Sequence, residues 1–353
     1  MSVLSPALPE NAALRRATGT PQVVLIYNTT SGAMVQGSGW GLGPLLPGPP
    51  DDKPHPPAWL EDAQAFIRAE TGTEPKIVAT ETQDEAIETV KDAARQGVPL
   101  VIAAGGDGTL RTAATHLADT ETALGIIPHG TVNVFARELG IALDDALGAV
   151  KRAVTGQVRR VDMGCIHLPG AQTGQLFLLM ASLGVDAVAV EGVNKAVKDV
   201  VGAGAYVLSG LSTLAGFVAP KVTLHIAGAD IVSGASFSRV SEPFAVLVMN
   251  SGLYGGDFRA IPDARIDDGL LDVLVFDTEP DSPATLQRAT YARQFGIAAM
   301  GRHKDDESIH YVRAARIEIV CEPGTALQVD GDSCGSQERF IIETMPGALA
   351  VRC

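Results

Sequence analysis

The segment V-I-A-A-G-G-D-G-T at 101–109 constrains this chain more than any other, because an apolar strand runs without a break into three glycines and one acid. A second apolar run at Ala123 to Ile127 leads into another such loop, P-H-G-T-V-N-V-F-A-R at 128–137. A buried strand that ends in glycine and then turns helical brings unhindered backbone N–H groups, a helix N-terminus and a carboxylate to one place. This is the pattern of a phosphate cradle with an acid in it. Within it Gly105, Gly106 and Gly108 allow the backbone to approach phosphate, and Thr109 is placed to cap the helix that follows.

The neighbouring segments repeat the strand–helix alternation. Apolar, β-branched runs at Gln22 to Tyr27, Lys76 to Ala79 and Pro99 to Ala104 read as buried strands. Between them, Trp59 to Glu70 and Asp84 to Gln96 repeat apolar residues at helical spacing. The spacing predicts an α/β domain over 22–158 with a parallel sheet whose ligands sit at the carboxyl ends of its strands. A stretch within 33–57, carrying five glycines between Gly37 and Gly48 and seven prolines between Pro44 and Pro57, reads as a surface loop. Residues 1–21 have no apolar signal segment and read as a loose tail.

Beyond Arg159 the texture changes. Phe177 to Ala181, Lys221 to Ile226, Phe244 to Met249, Leu271 to Phe276, Arg316 to Val320 and Ala326 to Val329 read as strands. Only Gly192 to Phe217 and Ala284 to Met300 read as helices. The expectation is an antiparallel β-sandwich over 159–339, with 340–353 returning to the first domain. Val200 to Ala219 carries no charge for the length of a bilayer crossing, yet its glycines, serines and threonine favour a helix packed within the domain.

Composition removes one function class and narrows another. With 27 basic against 41 acidic residues the formal charge is −14, which argues against nucleic acid, whose binders present basic faces. The same charge leaves local basic patches or apolar insertion as routes to an anionic membrane. Four cysteines show neither a C-x-x-C pair nor metal-ligand spacing, as in thiols of a reducing cytoplasm.

Taken together, the motifs resemble the diacylglycerol kinase catalytic family, which includes bacterial lipid kinases and the sphingosine and ceramide kinases. The resemblance rests on N-x-x-S-G at Asn28 to Gly32, G-G-D-G-T, P-x-G-T-x-N-x-F-A-R at Pro128 to Arg137, and S-L-G-V-D at Ser182 to Asp186. It continues through G-x-x-A-Y at Gly202 to Tyr206, N-x-x-x-Y-G-G at Asn250 to Gly256, D-D-G-L-L-D-V at Asp267 to Val273, and V-D-G at Val329 to Gly331. The resemblance implies a two-domain, ATP- and Mg²⁺-dependent enzyme that phosphorylates a lipid hydroxyl. It further implies a cytoplasmic location, lipid substrate met at a membrane surface, and room for a homodimer.

The same resemblance assigns residues. Asn28, Ser31, Thr80, Thr131 and Asn133 would line the nucleotide with the glycine loop and Gly331; apart from the resemblance, Lys195 and Lys198 read either as phosphate clamps in an acidic protein or as a solvated helix face. Asp186 would lie near the lipid head group, and Asp267, Asp268 and the Leu270 carbonyl would hold a structural Mg²⁺, for which oxygen ligands are suited. A primary alcohol needs a group to accept its proton, and Asp107 is the candidate from the loop itself. Asp332 stands where the family carries Glu after V-D-G and reaches about 1.5 Å less; Val134 replaces a frequent acid after Asn133. Those two departures keep open a nucleotide-binding regulator without turnover. The G-G-D-G-T loop, shared with NAD kinases, keeps open a soluble acceptor.

Overall fold

Three of the four strands in the first half are almost wholly apolar, so each of those can be satisfied only by cover on both faces. The computed structural model, which describes residues 21–29, 56–196, 216–227, 237–279 and 281–353, shows this cover. Strands β1 (Val23–Asn28), β2 (Lys76–Thr80), β3 (Leu100–Gly105) and β4 (Ala123–Pro128) form a parallel sheet in the order β2-β1-β3-β4. Helices α1 (Leu60–Thr71), α2 (Gln83–Arg95), α3 (Asp107–Leu117), α4 (Val134–Glu138) and α5 (Ala146–Thr155) accompany it. Helix α2 starts where its sequence directs, at a capping box in which Thr82 and Glu85 satisfy each other's backbone N–H. Because β2 lies on one side of β1 and β3 on the other, the sheet order reverses there, opening a crevice at the carboxyl ends of β1 and β3.

The second half supplies β5 (Val158–His167), β6 (Gln175–Phe177), β7 (Met180–Gly184), α6 (Val185–Ala196), β8 (Val222–Ala227), β9 (Phe237–Ser241), β10 (Pro243–Met249) and β11 (Leu271–Asp277). After these come α7 (Ala284–Ala299), β12 (Ile309–Ala314), β13 (Arg316–Cys321), β14 (Ala326–Val329), β15 (Asp332–Ser336) and β16 (Arg339–Arg352). One six-stranded sheet runs β12-β11-β10-β7-β14-β15. Val246, Val248, Val273 and Val275 of that sheet pack in one buried cluster with Leu224, Ile317, Ile319, Phe340 and Ile342 of the other. At roughly 1.5–3 kcal/mol for each such side chain removed from water, this inter-sheet layer is a principal source of the domain's stability.

The long last strand, β16, joins the halves. Its early residues pair antiparallel with β13, its length pairs with β5, and Val351 lies parallel to Leu124 of β4. The two halves therefore share one ten-stranded sheet. A register shift between Met345 and Leu349 interrupts the pairing with β5, and there Asp162 Oδ1 accepts the Gly347 N–H at 2.7 Å. Its Oδ2 accepts the Gly269 N–H, also at 2.7 Å, so one buried carboxylate ties β5, β16 and the turn before β11 together.

Two of the expected elements differ in the structure, and β5, β9, β12, β15 and β16 form in segments not read as strands. Phe177 to Ala181 is not one strand: Phe177 pairs with Gly164 in the long sheet, whereas Met180 pairs with Met249 in the other. The chain crosses between sheets at Leu178 and Leu179, and the part-buried Asp330 carboxylate accepts the N–H groups of Leu178, Leu179 and Met180 at 2.8, 2.9 and 3.0 Å. Helix α6 begins at Val185, earlier than the Gly192 expected from spacing, directly after β7. Most of Val200 to Ala219, and with it the G-x-x-A-Y motif, lies outside the described residues. No helix among the described residues is long and apolar enough to cross a membrane.

Asp330 and Gly331 have φ of 48° and 82°, the left-handed pair that a two-residue hairpin turn between β14 and β15 requires. Asp330→Ala removes an acceptor from three amides and a residue type that tolerates this φ, a loss on the order of 3 kcal/mol. Asp330→Asn keeps one acceptor oxygen and the turn. We expect the alanine variant to melt several degrees lower and the asparagine variant to lose less than half as much; equal, small shifts by differential scanning calorimetry would contradict this account.

Candidate functional site

The crevice is framed by the loops that leave β1, β3 and β4. Asn28 and Thr80 end paired strands and lie opposite each other in register. The Thr80 hydroxyl donates to the Tyr27 carbonyl at 3.3 Å, and Thr29 N–H donates to the Thr80 carbonyl at 3.1 Å, so these strand ends are tied together at the crevice rim. Ser31 lies outside the described residues.

The two glycine loops touch backbone to backbone. A Cβ on Gly130 would sit 2.4 Å from the Gly106 Cα, and one on Gly106 would sit 3.2 Å from the Gly130 Cα. Only two glycines permit this approach. Asn133, at φ 54°, closes its loop with a reciprocal pair: Gly130 N–H donates to its Oδ1 at 2.9 Å, and its Nδ2 donates to the Gly130 carbonyl at 2.7 Å. Thr131, between them, is exposed. Gly108 is exposed, with no protein atom within 4 Å of where a Cβ would stand.

One expectation for this loop is corrected. Thr109 does not cap α3; Gly106 is the cap, and Thr109 lies inside the first turn, folded over Gly105, whose added Cβ would meet the Thr109 Oγ1 at 2.5 Å. The close turn leaves no room for the hydroxyl ahead of the helix.

Asp107 joins the loops. Its Oδ2 accepts the Val134 N–H and its Oδ1 the Phe135 N–H, each at 3.1 Å, so it holds the start of α4 against the start of α3. Burial raises the Asp107 carboxyl above its ordinary value, against the opposing pull of those amides and of Arg137. From α4 the contacts continue into the N-x-x-x-Y-G-G loop. Arg137 pairs with Asp257, and Glu138 accepts from the Ser251 hydroxyl at 2.7 Å and pairs with Arg259 at 3.3 Å.

Across the crevice, Asp186 is buried and fully engaged. It accepts from the Ser182 and Tyr254 hydroxyls and from Gln328 Nε2 at 3.1 Å. Gln328 Oε1 in turn accepts the Gly331 N–H at 2.8 Å, linking Asp186 to the V-D-G corner. Burial, followed by the neighbouring Asp186 carboxylate, holds the Tyr254 hydroxyl protonated well above its ordinary range. Tyr254 stacks edge-on against Phe295 of α7 at 5.4 Å, which begins an aromatic row through Tyr291 and Phe244 to Phe217. At the V-D-G corner itself, Asp332 pairs with Arg111 of α3, which also donates to the Val329 carbonyl at 3.1 Å.

The two carboxylates that the resemblance assigns to a metal are engaged by arginines. Asp267 pairs with Arg159 at 2.8 Å and Arg265 at 3.4 Å, and Asp268 pairs with Arg313. Burial pushes the Asp267 carboxyl up, but its two arginines outweigh this and hold it below its ordinary value. Asp268 also accepts the Leu270 N–H at 3.2 Å, closing the turn on itself. No cluster of three His, Cys, Asp or Glu side chains able to hold a metal exists among the described residues. Guanidinium groups occupy the carboxylates that a cation would need. Lys195 belongs to α6 by its backbone, and Lys198 lies outside the described residues.

Sequence reasoning passed over Arg111, Glu138 and Arg259, which act across distant segments and carry no local signal, and it gave no role to Gly130 and Asp330, although both lie in motifs legible in the sequence.

A glycine cradle at the switch point of a parallel sheet, closed by a β-sandwich that carries its own acids, defines a two-domain kinase of nucleotide-binding type. Residues 58–166 match the Diacylglycerol kinase catalytic domain family, and residues 180–353 match the YegS C-terminal NAD kinase beta sandwich-like domain family. The diacylglycerol kinase of Bacillus subtilis (strain 168) is 31% identical over 277 residues, covering 77% of this chain and 83% of the relative. A probable YegS-like lipid kinase of Pseudomonas aeruginosa (strain UCBPP-PA14) is 31% identical over 296 residues, covering 82% and 89%. A crystal structure of a putative diacylglycerol kinase from Bacillus anthracis str. Sterne shares the fold, with a TM-score of 0.64 at 24% identity over 94% of this chain and 96% of that one. The chain belongs to the diacylglycerol kinase and YegS-like family of lipid kinases.

Two measurements test the geometry. Gly130→Ala must part the two loops, so nucleotide affinity should fall on the order of 10-fold or more, while Gly108→Ala, with open space at its Cβ, should leave the melting temperature unchanged or raised. An unchanged nucleotide affinity in Gly130→Ala would show that the loop contact is dispensable. Chelation by EDTA should leave the melting temperature of nucleotide-free protein within about 1 °C, since a cation bound at the Asp267–Asp268 turn would add roughly 2–4 kcal/mol when saturating.

Proposed function

We propose that this protein is an ATP-dependent lipid kinase, cytoplasmic and peripheral to the membrane, that transfers the γ-phosphoryl group to a hydroxyl of a diacylglycerol-like or sphingoid lipid. The observation that carries the reading is the Gly106–Gly130 contact clamped by Asp107, with Asp332 brought to α3 from the other domain. The backbone N–H groups of the glycine loops and the N-terminus of α3 hold the phosphates. Asp107 keeps the two loops in register. Phosphoryl transfer depends mainly on positioning and charge stabilisation, so the acceptor hydroxyl needs one well-placed carboxylate more than a strong base.

Asp332 fits that task better than Asp107, since both Asp107 oxygens accept amides whereas Asp332 is half exposed. The acceptor O–H donates to Asp332; as the new O–P bond forms and the Pγ–O bond to ADP breaks, the proton passes to the carboxylate and on to solvent. Mg²⁺ would enter on the nucleotide phosphates and screen their charge. The aromatic row from Tyr254 to Phe217 offers the apolar lining that an acyl chain needs, with Asp186 and Tyr254 at its polar end.

Incubation with ATP and a panel of diacylglycerols, monoacylglycerols, sphingoid bases and ceramides, with NAD as a soluble acceptor, should yield a phosphorylated lipid by mass spectrometry. Phosphorylation of NAD alone would overturn the lipid reading. The ionised Asp107 holds α4, and burial raises its carboxyl above the ordinary aspartate value. Activity should therefore fall as pH drops through that raised value, giving kcat/KM an acid limb above the ordinary aspartate range.

A further inference from the structure

Arg111 stands one helical turn beyond Asp107, at i+4 on the same face of α3. Its side chain is 16% exposed, against 50% for its partner Asp332, so the guanidinium lies in the joint between the domains while the carboxylate is half open to solvent. The fork is used in two directions. Nη2 donates to Asp332 Oδ2, and Nη1 donates to the Val329 carbonyl at 3.1 Å. A planar guanidinium that holds two acceptors fixes the relative orientation of both, which a single ammonium cannot do. The V-D-G hairpin is thereby held from both ends of its turn, at Val329 and at Asp332. Oδ1 of Asp332 accepts no hydrogen bond among the described residues.

We infer that Arg111 is the positioning residue for Asp332: it takes Oδ2, turns Oδ1 toward the acceptor hydroxyl, and sets that carboxylate at a constant distance from the phosphate loop. The inference rests on the role proposed above for Asp332. Because Arg111 and Asp107 belong to one helix, the donor and acceptor sides of the reaction share a rigid reference. Asp332 is short, and its β15 strand is among the more exposed in the fold, so its orientation is not set by packing. A link of this kind acts on turnover rather than on nucleotide affinity, because Arg111 is engaged with protein and not with the cradle itself.

A double-mutant cycle on the full-length chain tests this, using ATP and whichever panel lipid in detergent micelles the wild type phosphorylates fastest. Arg111→Met and Asp332→Ala should each lower kcat on the order of 10- to 100-fold, with the KM for ATP within about 3-fold of wild type. The double variant should turn over within about 3-fold of Asp332→Ala, since Arg111 has nothing left to position. Losses that multiply, or a normal kcat in Arg111→Met beside an impaired Asp332→Ala, overturn the inference while leaving Asp332 in its role. A normal kcat in Asp332→Ala removes both, and absence of lipid turnover in the wild type removes the lipid kinase reading that they rest on. Should Arg111→Met fail to fold by calorimetry, Arg111→Lys carries the test: one ammonium cannot hold Val329 and Asp332 together, so kcat should still fall at unchanged KM for ATP, and a wild-type kcat overturns the inference.

Discussion

The carboxylate of Asp107 is the interaction on which the rest of the site depends. It accepts the first two amides of α4 and so fastens two loops that leave different strands, in a place where Gly106 and Gly130 let the backbones meet. A carboxylate facing unsatisfied N–H groups at a helix start is favoured by both hydrogen bonding and the helix dipole. That favourable contact offsets the desolvation that raises its pKa. Were the loops held apart, their amides would point at different positions and no single phosphate could meet them together.

From this clamp, rigid contacts lead to the second domain by two routes. One passes through α4, whose Arg137 and Glu138 engage Asp257, Ser251 and Arg259, and then through Tyr254 to Asp186. The other passes down α3 to Arg111 and the V-D-G hairpin. The routes meet again at Gln328, which bonds both Asp186 and Gly331. Beneath them, β16 belongs to the sheets of both halves. A covalently continuous strand and two polar bridges leave the halves little freedom to slide, so the crevice is a property of the assembled molecule.

Arginine chemistry recurs at these joints. Arg111, Arg159, Arg259 and Arg313 each engage a carboxylate from another element, and the acidic chain uses its few cations where segments must meet. At the Asp267–Asp268 turn this pairing stands where the family resemblance implied a cation. A guanidinium and a divalent ion both neutralise paired carboxylates, but the guanidinium is tethered to the strand it stabilises and comes with the fold.

Much of this was legible in the sequence for a plain reason: strand burial, helical spacing and glycine turns are local, and they are written in consecutive residues. The parallel sheet, the cradle at its edge and the β-sandwich followed from that pattern, and the motifs carried the family. What the pattern missed depends on distance. Phe177 to Ala181 looked like one strand because nothing nearby in the chain announces that Asp330, far along it, draws the Leu178 and Leu179 amides out of the ladder. Thr109 looked like a cap because the sequence does not show that the helix already starts at Asp107, which leaves Thr109 inside the first turn over Gly105. The sequence by itself determined which segments are buried and which turns are possible; the tertiary structure alone decided which charge faces which, because pairing between Arg111 and Asp332 or Arg313 and Asp268 requires segments to be brought together before any local preference can favour it.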